Sequence, residues 1–251
     1  MIQLKNADQI KIMKEAGRIT GEALLVARDH VRPGISTYEL DRLVRESIEK
    51  AGAKPSFLGY GGFPDSACIS INDEVIHGIP SKKRFLEEGD IVKIDVGALY
   101  KGYHGDCAAT FAVGEISREA EQLIEVTRQS FFKGLQAAEC EGARLGDIGN
   151  AIQTYVESFG YSVVRDFVGH GIGKKVHEDP EVPNYGRAGR GIRLCSGMTL
   201  AVEPMINAGV YSVHTLSNEW TVVTDDGKLS SHFENTFALT DNGAVILTDP
   251  S

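Results

Sequence analysis

The chain has 251 residues, 42% of them hydrophobic and 24% charged, with a formal net charge of −9. This length and composition suit a soluble globular protein with a sizeable core, and the acidic balance argues against specific nucleic-acid binding, which normally needs a basic face. The opening stretch MIQLKNADQIKIMKEAG is broken by charges and reads as neither signal peptide nor membrane helix, so a cytoplasmic location without membrane association is expected.

Asn6 stands at the cap of a helical pattern carried by Ile10, Met13, Ala16, Ile19 and Ala23. A second helix begins at STYEL, where Ser36 and Glu39 have capping-box spacing, and Leu40, Leu43, Val44 and Ile48 supply its stripe up to Gly52. Strand composition follows over 67–72, 90–99 and 104–113. Two further helices are expected over about 117–138 and 146–159, then strands over 161–168, 198–207, 219–224 and 232–240. Cys68, Cys107, Cys140 and Cys195 form no CxxC pair and read as reduced thiols.

The order helix–helix–strands occurs twice, and one shift of 108 residues relates the two runs. It carries Gly34 to Gly142, Gly52 to Gly160, Gly89 to Gly197 and Asp95 to Glu203. EGDIVKID and SGMTLAVE are thus the same element, each ending on a carboxylate. The class is α+β, with 1–251 read as a single catalytic domain built from halves of about 1–115 and 116–251.

A carboxylate at the end of an apolar strand is costly unless it is paired or bound to metal. Asp95 and Glu203 are such residues. Asp106 lies beyond a turn at 100–102 that folds its strand back beside that of Asp95, and Glu234 sits in HFENTFALT. His170, in VGHGIGKKVHEDP, adds an imidazole. An oxygen-rich set with one nitrogen is poor for structural zinc and suits a pair of ions such as Mn²⁺, Fe²⁺ or Co²⁺. Four carboxylates balance two divalent cations, and two ions about 3.5–4 Å apart can share a water and polarise a carbonyl, the chemistry of hydrolysis. His77 and His177 remain as donors to an oxyanion or a scissile amide.

The segments KIDVGALYKGYHGDCAATF, FVGHGIGKKVHEDPEVPNYG, GMTLAVEPMIN and SHFENTFALTDNG resemble the metal-binding segments of type I methionine aminopeptidases, in the short bacterial form. The resemblance covers essentially the whole chain. It implies the pita-bread fold, with two pseudo-symmetric halves around a central antiparallel sheet and helices outside. It also implies two divalent metal ions (Mn, Fe, Co or Zn), with Asp106 and Glu234 bridging, Asp95 on one ion, and His170 and Glu203 on the other. Glu203 would further take a proton from the attacking water. His177 would contact the scissile carbonyl and His77 the amide of the second residue. Tyr60, Phe63, Cys68 and Trp220, with Val176, would form the pocket for an unbranched methionine side chain.

The substrates implied are peptides and nascent chains with N-terminal methionine and a small second residue. A transient ribosome contact through SKKR (81–84), a monovalent cation near Asn72 and Ser230, and a monomeric state are further expectations. The glycines at 169, 171 and 173 are read as letting the backbone pass close to metals and substrate. Asn235, where many members have histidine, and Phe63 and Val176, where some have tyrosine and phenylalanine, depart from the pattern. An X-Pro peptidase and a non-catalytic pita-bread binding protein stand as alternatives.

Overall fold

In the computed structural model, which describes residues 1–249, the first helix α1 (Ala7–Arg28) starts where its cap requires. The Asn6 side chain accepts from Gln9 N at 3.0 Å, and Gln9 Oε1 accepts from Asn6 N at 2.9 Å. In α2 (Thr37–Lys50) only the Ser36 half of the expected capping box forms, with Ser36 Oγ accepting from Glu39 N at 3.2 Å. The strands of this half are β1 (Lys54–Pro55), β2 (Ala67–Ile71), β3 (Glu74–Ile76), β4 (Ile91–Tyr100) and β5 (Tyr103–Ala112).

The second half opens with α3 (Arg118–Ala138) and α4 (Leu145–Glu157). It continues through β6 (Ser162–Val163), β7 (Gly169–Gly171), β8 (Glu178–Val182), β9 (Thr199–Val202) and β10 (Met205–Asn207). It closes with β11 (Val213–Thr215), β12 (Val222–Thr224), β13 (Ser230–His232), β14 (Glu234–Thr240) and β15 (Gly243–Ile246).

Nine strands form one antiparallel sheet in the order β1-β4-β5-β14-β9-β7-β8, with β2 joined to β4 and β15 to β14. Two three-stranded sheets, β13-β10-β6 and β11-β12-β3, flank it. One face of the large sheet is apolar. Val92, Ile94 and Val96 of β4 pack with Ile19, Leu40, Val44 and Ile48 of α1 and α2. Leu200, Val202 and Phe237 of β9 and β14 pack with Leu123, Phe131, Ile148 and Ile152 of α3 and α4. Each such side chain contributes roughly 1.5–3 kcal/mol when fully buried, so each half carries a substantial core of its own. The opposite face is left for polar side chains.

Two expected strands are broken, and at informative places. The run over 198–207 divides at Glu203–Pro204 into β9 and β10, and the run over 232–240 divides at Phe233 into β13 and β14. Pro204 has no N–H to continue a ladder, while its carbonyl accepts from Phe233 N at 3.2 Å. The runs over 161–168 and 219–224 shrink to β6 and β12. All four cysteines are free thiols, with Cys68 and Cys107 buried. Among the described residues, no helix is long and apolar enough to cross a membrane.

Candidate metal centre

Side chains directly opposed in an antiparallel ladder share a face, as do residues two apart on one strand. Asp95 lies opposite Ala108, and so does Glu234 from the other side. Asp106 is two residues before Ala108, so all three carboxylates point to the face away from the helices. Val202 pairs with Asn235 on the helix side, which turns their neighbours Glu203 and Glu234 to the polar face. His170, opposite Ala201 on β7, completes the group. Its Nε2 lies 3.8 Å from Asp106 Oδ2 and 3.6 Å from Glu203 Oε1. All five residues expected as ligands therefore meet, four on β4, β5, β14 and β7 and Glu203 just past the end of β9.

The group is under electrostatic stress. Asp95, Asp106, Glu203 and Glu234 all have their pKa values raised, by burial first. Repulsion among neighbouring carboxylates adds to the shift of Asp106, Glu203 and Glu234. Asp95 Oδ1, Asp106 Oδ1 and Glu234 Oε1 are buried without a hydrogen-bond partner among the described residues. His170 Nδ1 is 2.9 Å from the Gly171 carbonyl and donates to it, which leaves the Nε2 lone pair facing the carboxylates. Burial lowers the His170 pKa to about 3, so the ring is neutral. Orphaned carboxylate oxygens around a neutral imidazole lone pair fit divalent cations that accept oxygen and nitrogen donors.

The same five residues line one side of a cavity of about 160 Å³ whose other walls include Tyr60, Phe63, Cys68, His77, His177 and Trp220. Phe57, Phe63, Cys68 and Val176 are buried together, with Ile79 and Trp220 packed against them. Cys68 reaches this face because it pairs with Asp95. Trp220 meets Phe63 edge-on at 5.1 Å between ring centroids. Of the two departures from the pattern, Phe63 is thus apolar wall and Val176 is buried in the cluster behind it. The volume is below the roughly 300–1,000 Å³ of sites that enclose drug-sized ligands, so it suits a single side chain.

The two remaining expected histidines also face the cavity. Tyr60 OH lies 2.7 Å from His177 Nδ1, and with the hydroxyl donating, the ring proton stays on Nε2. His77 holds a left-handed backbone, φ 58°, which is costly for a non-glycine residue and is typical of functional sites. Burial lowers its pKa to about 4, with His177 adding to the effect.

Some expectations are corrected. The glycines at 169, 171 and 173 do not clear space for metal or substrate. A Cβ on Gly169 would come within 2.4 Å of Ala201 O, one on Gly171 within 2.2 Å of Asp179 O, and one on Gly173 within 2.5 Å of Lys5 Cε. They allow strands and the N-terminal arm to close on β7. Asn235 points away from the centre and accepts from Thr248 Oγ1 at 2.7 Å. The Asn72 carbonyl, near which a monovalent cation was expected, accepts from Lys93 Nζ at 2.7 Å and from Ser230 N at 3.0 Å. The SKKR loop is a separate case: Arg84 pairs with Glu74, and Lys82 lies 4.5 Å over the Tyr38 ring.

Sequence reading also missed His232. It is buried, with Nε2 3.9 Å from both Glu203 Oε2 and Glu234 Oε2. The available signal was its place two residues before Glu234, although Phe233 interrupts the strand there.

The sequence pattern of metallopeptidase family M24 matches residues 11–241. The chain belongs to this family. It is 60% identical to the methionine aminopeptidase of Clostridium acetobutylicum over 248 residues, 99% of each chain. It is 52% identical to methionine aminopeptidase 1 of Bacillus subtilis, again over 99% of both. The crystal structure of methionine aminopeptidase from Thermotoga maritima superposes with a TM-score of 0.97 at 45% identity, covering 99% of this chain and 100% of that one. The prolidase of Pyrococcus furiosus gives 0.80 at 25% identity, over 99% of this chain but 66% of its own. The family fold is the pita-bread arrangement expected from the resemblance.

Proposed function

We propose that the protein removes an N-terminal methionine by hydrolysing the first peptide bond of peptides and nascent chains whose second residue is small. The observation that carries this reading is the junction of two spaces at one pair of imidazoles. The small cavity, apolar on the side of Phe57, Phe63 and Trp220, shares His170 and His177 with a wider hollow of about 880 Å³ walled by Lys5, Lys174, Lys175, Glu178 and Asp179. One side chain fits the first space, and the rest of a peptide leaves through the second. All these residues come from one chain, so the site is complete in a monomer.

Asp95, Asp106, His170, Glu203 and Glu234 would hold two divalent ions. When bound, the ions supply Lewis acidity and a water of lowered pKa. Glu203, whose carboxylate is destabilised by burial and by Asp106 and Asp95, accepts the proton of the attacking water. His177, oriented by Tyr60, donates from Nε2 to the oxygen that becomes negative. His77 lies against Trp220, with ring centroids 6.4 Å apart, and contacts the amide of the second residue. Phe63, Cys68, Val176 and Trp220 exclude water from the methionine side chain.

The test is release of free methionine from a Met-Ala-Ser peptide by protein stripped with EDTA and reloaded with Mn²⁺, Fe²⁺, Co²⁺ or Zn²⁺. Loss with the chelator and recovery with metal is the expected result. Bound metal without any release would point instead to an X-Pro peptidase or a binding scaffold.

A further inference from the structure

His232 has no part in the chemistry described so far, yet it is placed like a member of the centre. Its side chain is 1% exposed, and Nε2 is buried with no hydrogen-bond partner among the described residues. The backbone is pinned on both sides: His232 N donates to Thr110 Oγ1 at 3.0 Å, and Thr110 Oγ1 donates to His232 O at 2.9 Å. The strand that carries the ring is therefore fixed, with Nε2 aimed at two carboxylates.

The distances match those of His170. His170 Nε2 is 3.6 Å from Glu203 Oε1, and His232 Nε2 is 3.9 Å from Glu203 Oε2. The two oxygens of Glu203 thus face different imidazoles. These separations are too long for hydrogen bonds. Metal–nitrogen and metal–oxygen bonds of about 2.0–2.2 Å let two donors on one ion stand up to about 4.3 Å apart, so each gap can be spanned by one ion.

We propose that His232 is a sixth donor to the metal centre, binding an ion together with Glu203 and Glu234. This rests on the reading that the carboxylate cluster holds divalent ions. A second imidazole makes the centre richer in nitrogen, which favours ions later in the Mn²⁺-to-Zn²⁺ series over Mn²⁺.

Weaker binding alone does not decide the matter, because removing a residue outside the coordination shell also lowers metal affinity about 10–100-fold. The deciding experiment counts imidazole ligands. The wild-type protein is loaded with Co²⁺, and solvent-exchangeable, hyperfine-shifted imidazole N–H protons are recorded by ¹H NMR, with bound metal measured by elemental analysis. Two such signals are expected from the wild type and one from His232→Gln, together with at least about tenfold weaker binding of one ion. A single signal from wild type carrying two ions overturns the role of His232 and leaves the dinuclear reading standing. Two signals surviving in His232→Gln overturn it as well. A wild type that takes up no metal removes both readings.

Discussion

Lys5 Nζ lies 2.6 Å from Glu178 Oε2, with the two side chains only 5% and 9% exposed, and Glu178 directly follows His177. The other Glu178 oxygen accepts from Lys174 N at 2.7 Å and Lys175 N at 3.2 Å. Burial pushes the Glu178 carboxyl up, but Lys5 and these two amides more than offset it and hold it below the usual range. One carboxylate therefore ties the N-terminal arm to the turn that carries His177. Lys5→Met leaves that charge buried without its cation, which destabilises by about 3 kcal/mol and lowers kcat by misplacing His177. Adding Glu178→Gln should restore most of the stability, as measured by urea unfolding. An unchanged kcat in Lys5→Met would separate this ion pair from the site.

Glu203→Gln and His177→Ala should fail in different ways. The first removes a proton acceptor that is also an ion ligand, so it should lower kcat about 10²–10⁴-fold and weaken metal binding as well. The second removes an oxyanion donor and should lower kcat about 10²–10³-fold while both ions stay bound. Elemental analysis beside the kinetics tells them apart. His177→Ala protein that has lost metal would make His177 a ligand.

Metal removal should show in stability as well as rate. Each ion held at a free concentration of 100 Kd contributes about 2.7 kcal/mol, so two ions raise the midpoint by on the order of 10 °C. Calorimetry with and without EDTA checks this. Equal midpoints in both would mean that the buried carboxylates manage without cations.

Asp41, which is not one of the expected ligands, gives a separate pH signature. Its carboxyl is buried in α2 and accepts from Ser66 N at 2.8 Å and Ala67 N at 2.9 Å. Burial raises its pKa to about 6, against the opposing pull of those two amides. The folded state thus binds this proton more tightly than the unfolded state, and Asp41 costs stability as pH rises from about 4 to about 6. In Asp41→Asn that cost is absent. The stability advantage of the variant should widen by ~1 kcal/mol between pH 5 and 7.5, and an advantage that narrows over this range would contradict the assignment.

Much of the site was readable because ladder parity obeys local rules. Asp95 follows Val92 and Ile94 in an unbroken apolar alternation, and the turn after Tyr100 fixes where Asp106 must fall. Helix starts were similarly marked by Asn6 and Ser36. His232 was not readable in this way, because the strand break at Phe233 depends on the distant Pro204 carbonyl. Nor was the burial of Lys93, whose partner is a backbone carbonyl on another loop. The glycines beside His170 announced close packing, but not that the neighbours would be Ala201, Asp179 and Lys5.

Within the large sheet the two halves meet between β5 and β14 over two residue pairs, Ala108–Glu234 and Cys107–Asn235, and a second short ladder joins β3 to β12 at Ile76–Val222 and Glu74–Val223. Beyond the β5–β14 pairs, Thr236 Oγ1 bonds to both the amide and the carbonyl of Asp106 instead. Asp95 and Asp106 stand on one side of this short seam, and His170, Glu203 and Glu234 on the other. Apart from Ile91, the two largest apolar clusters are each drawn from one half alone, and only smaller ones, such as Met13 and Tyr103 against Ile172, Ala201, Ala238 and Leu247, bridge the halves. A slight parting of the halves would scatter the donors while both cores stayed shut. Under mild denaturant or warming, catalysis would fail first, in molecules that still look folded.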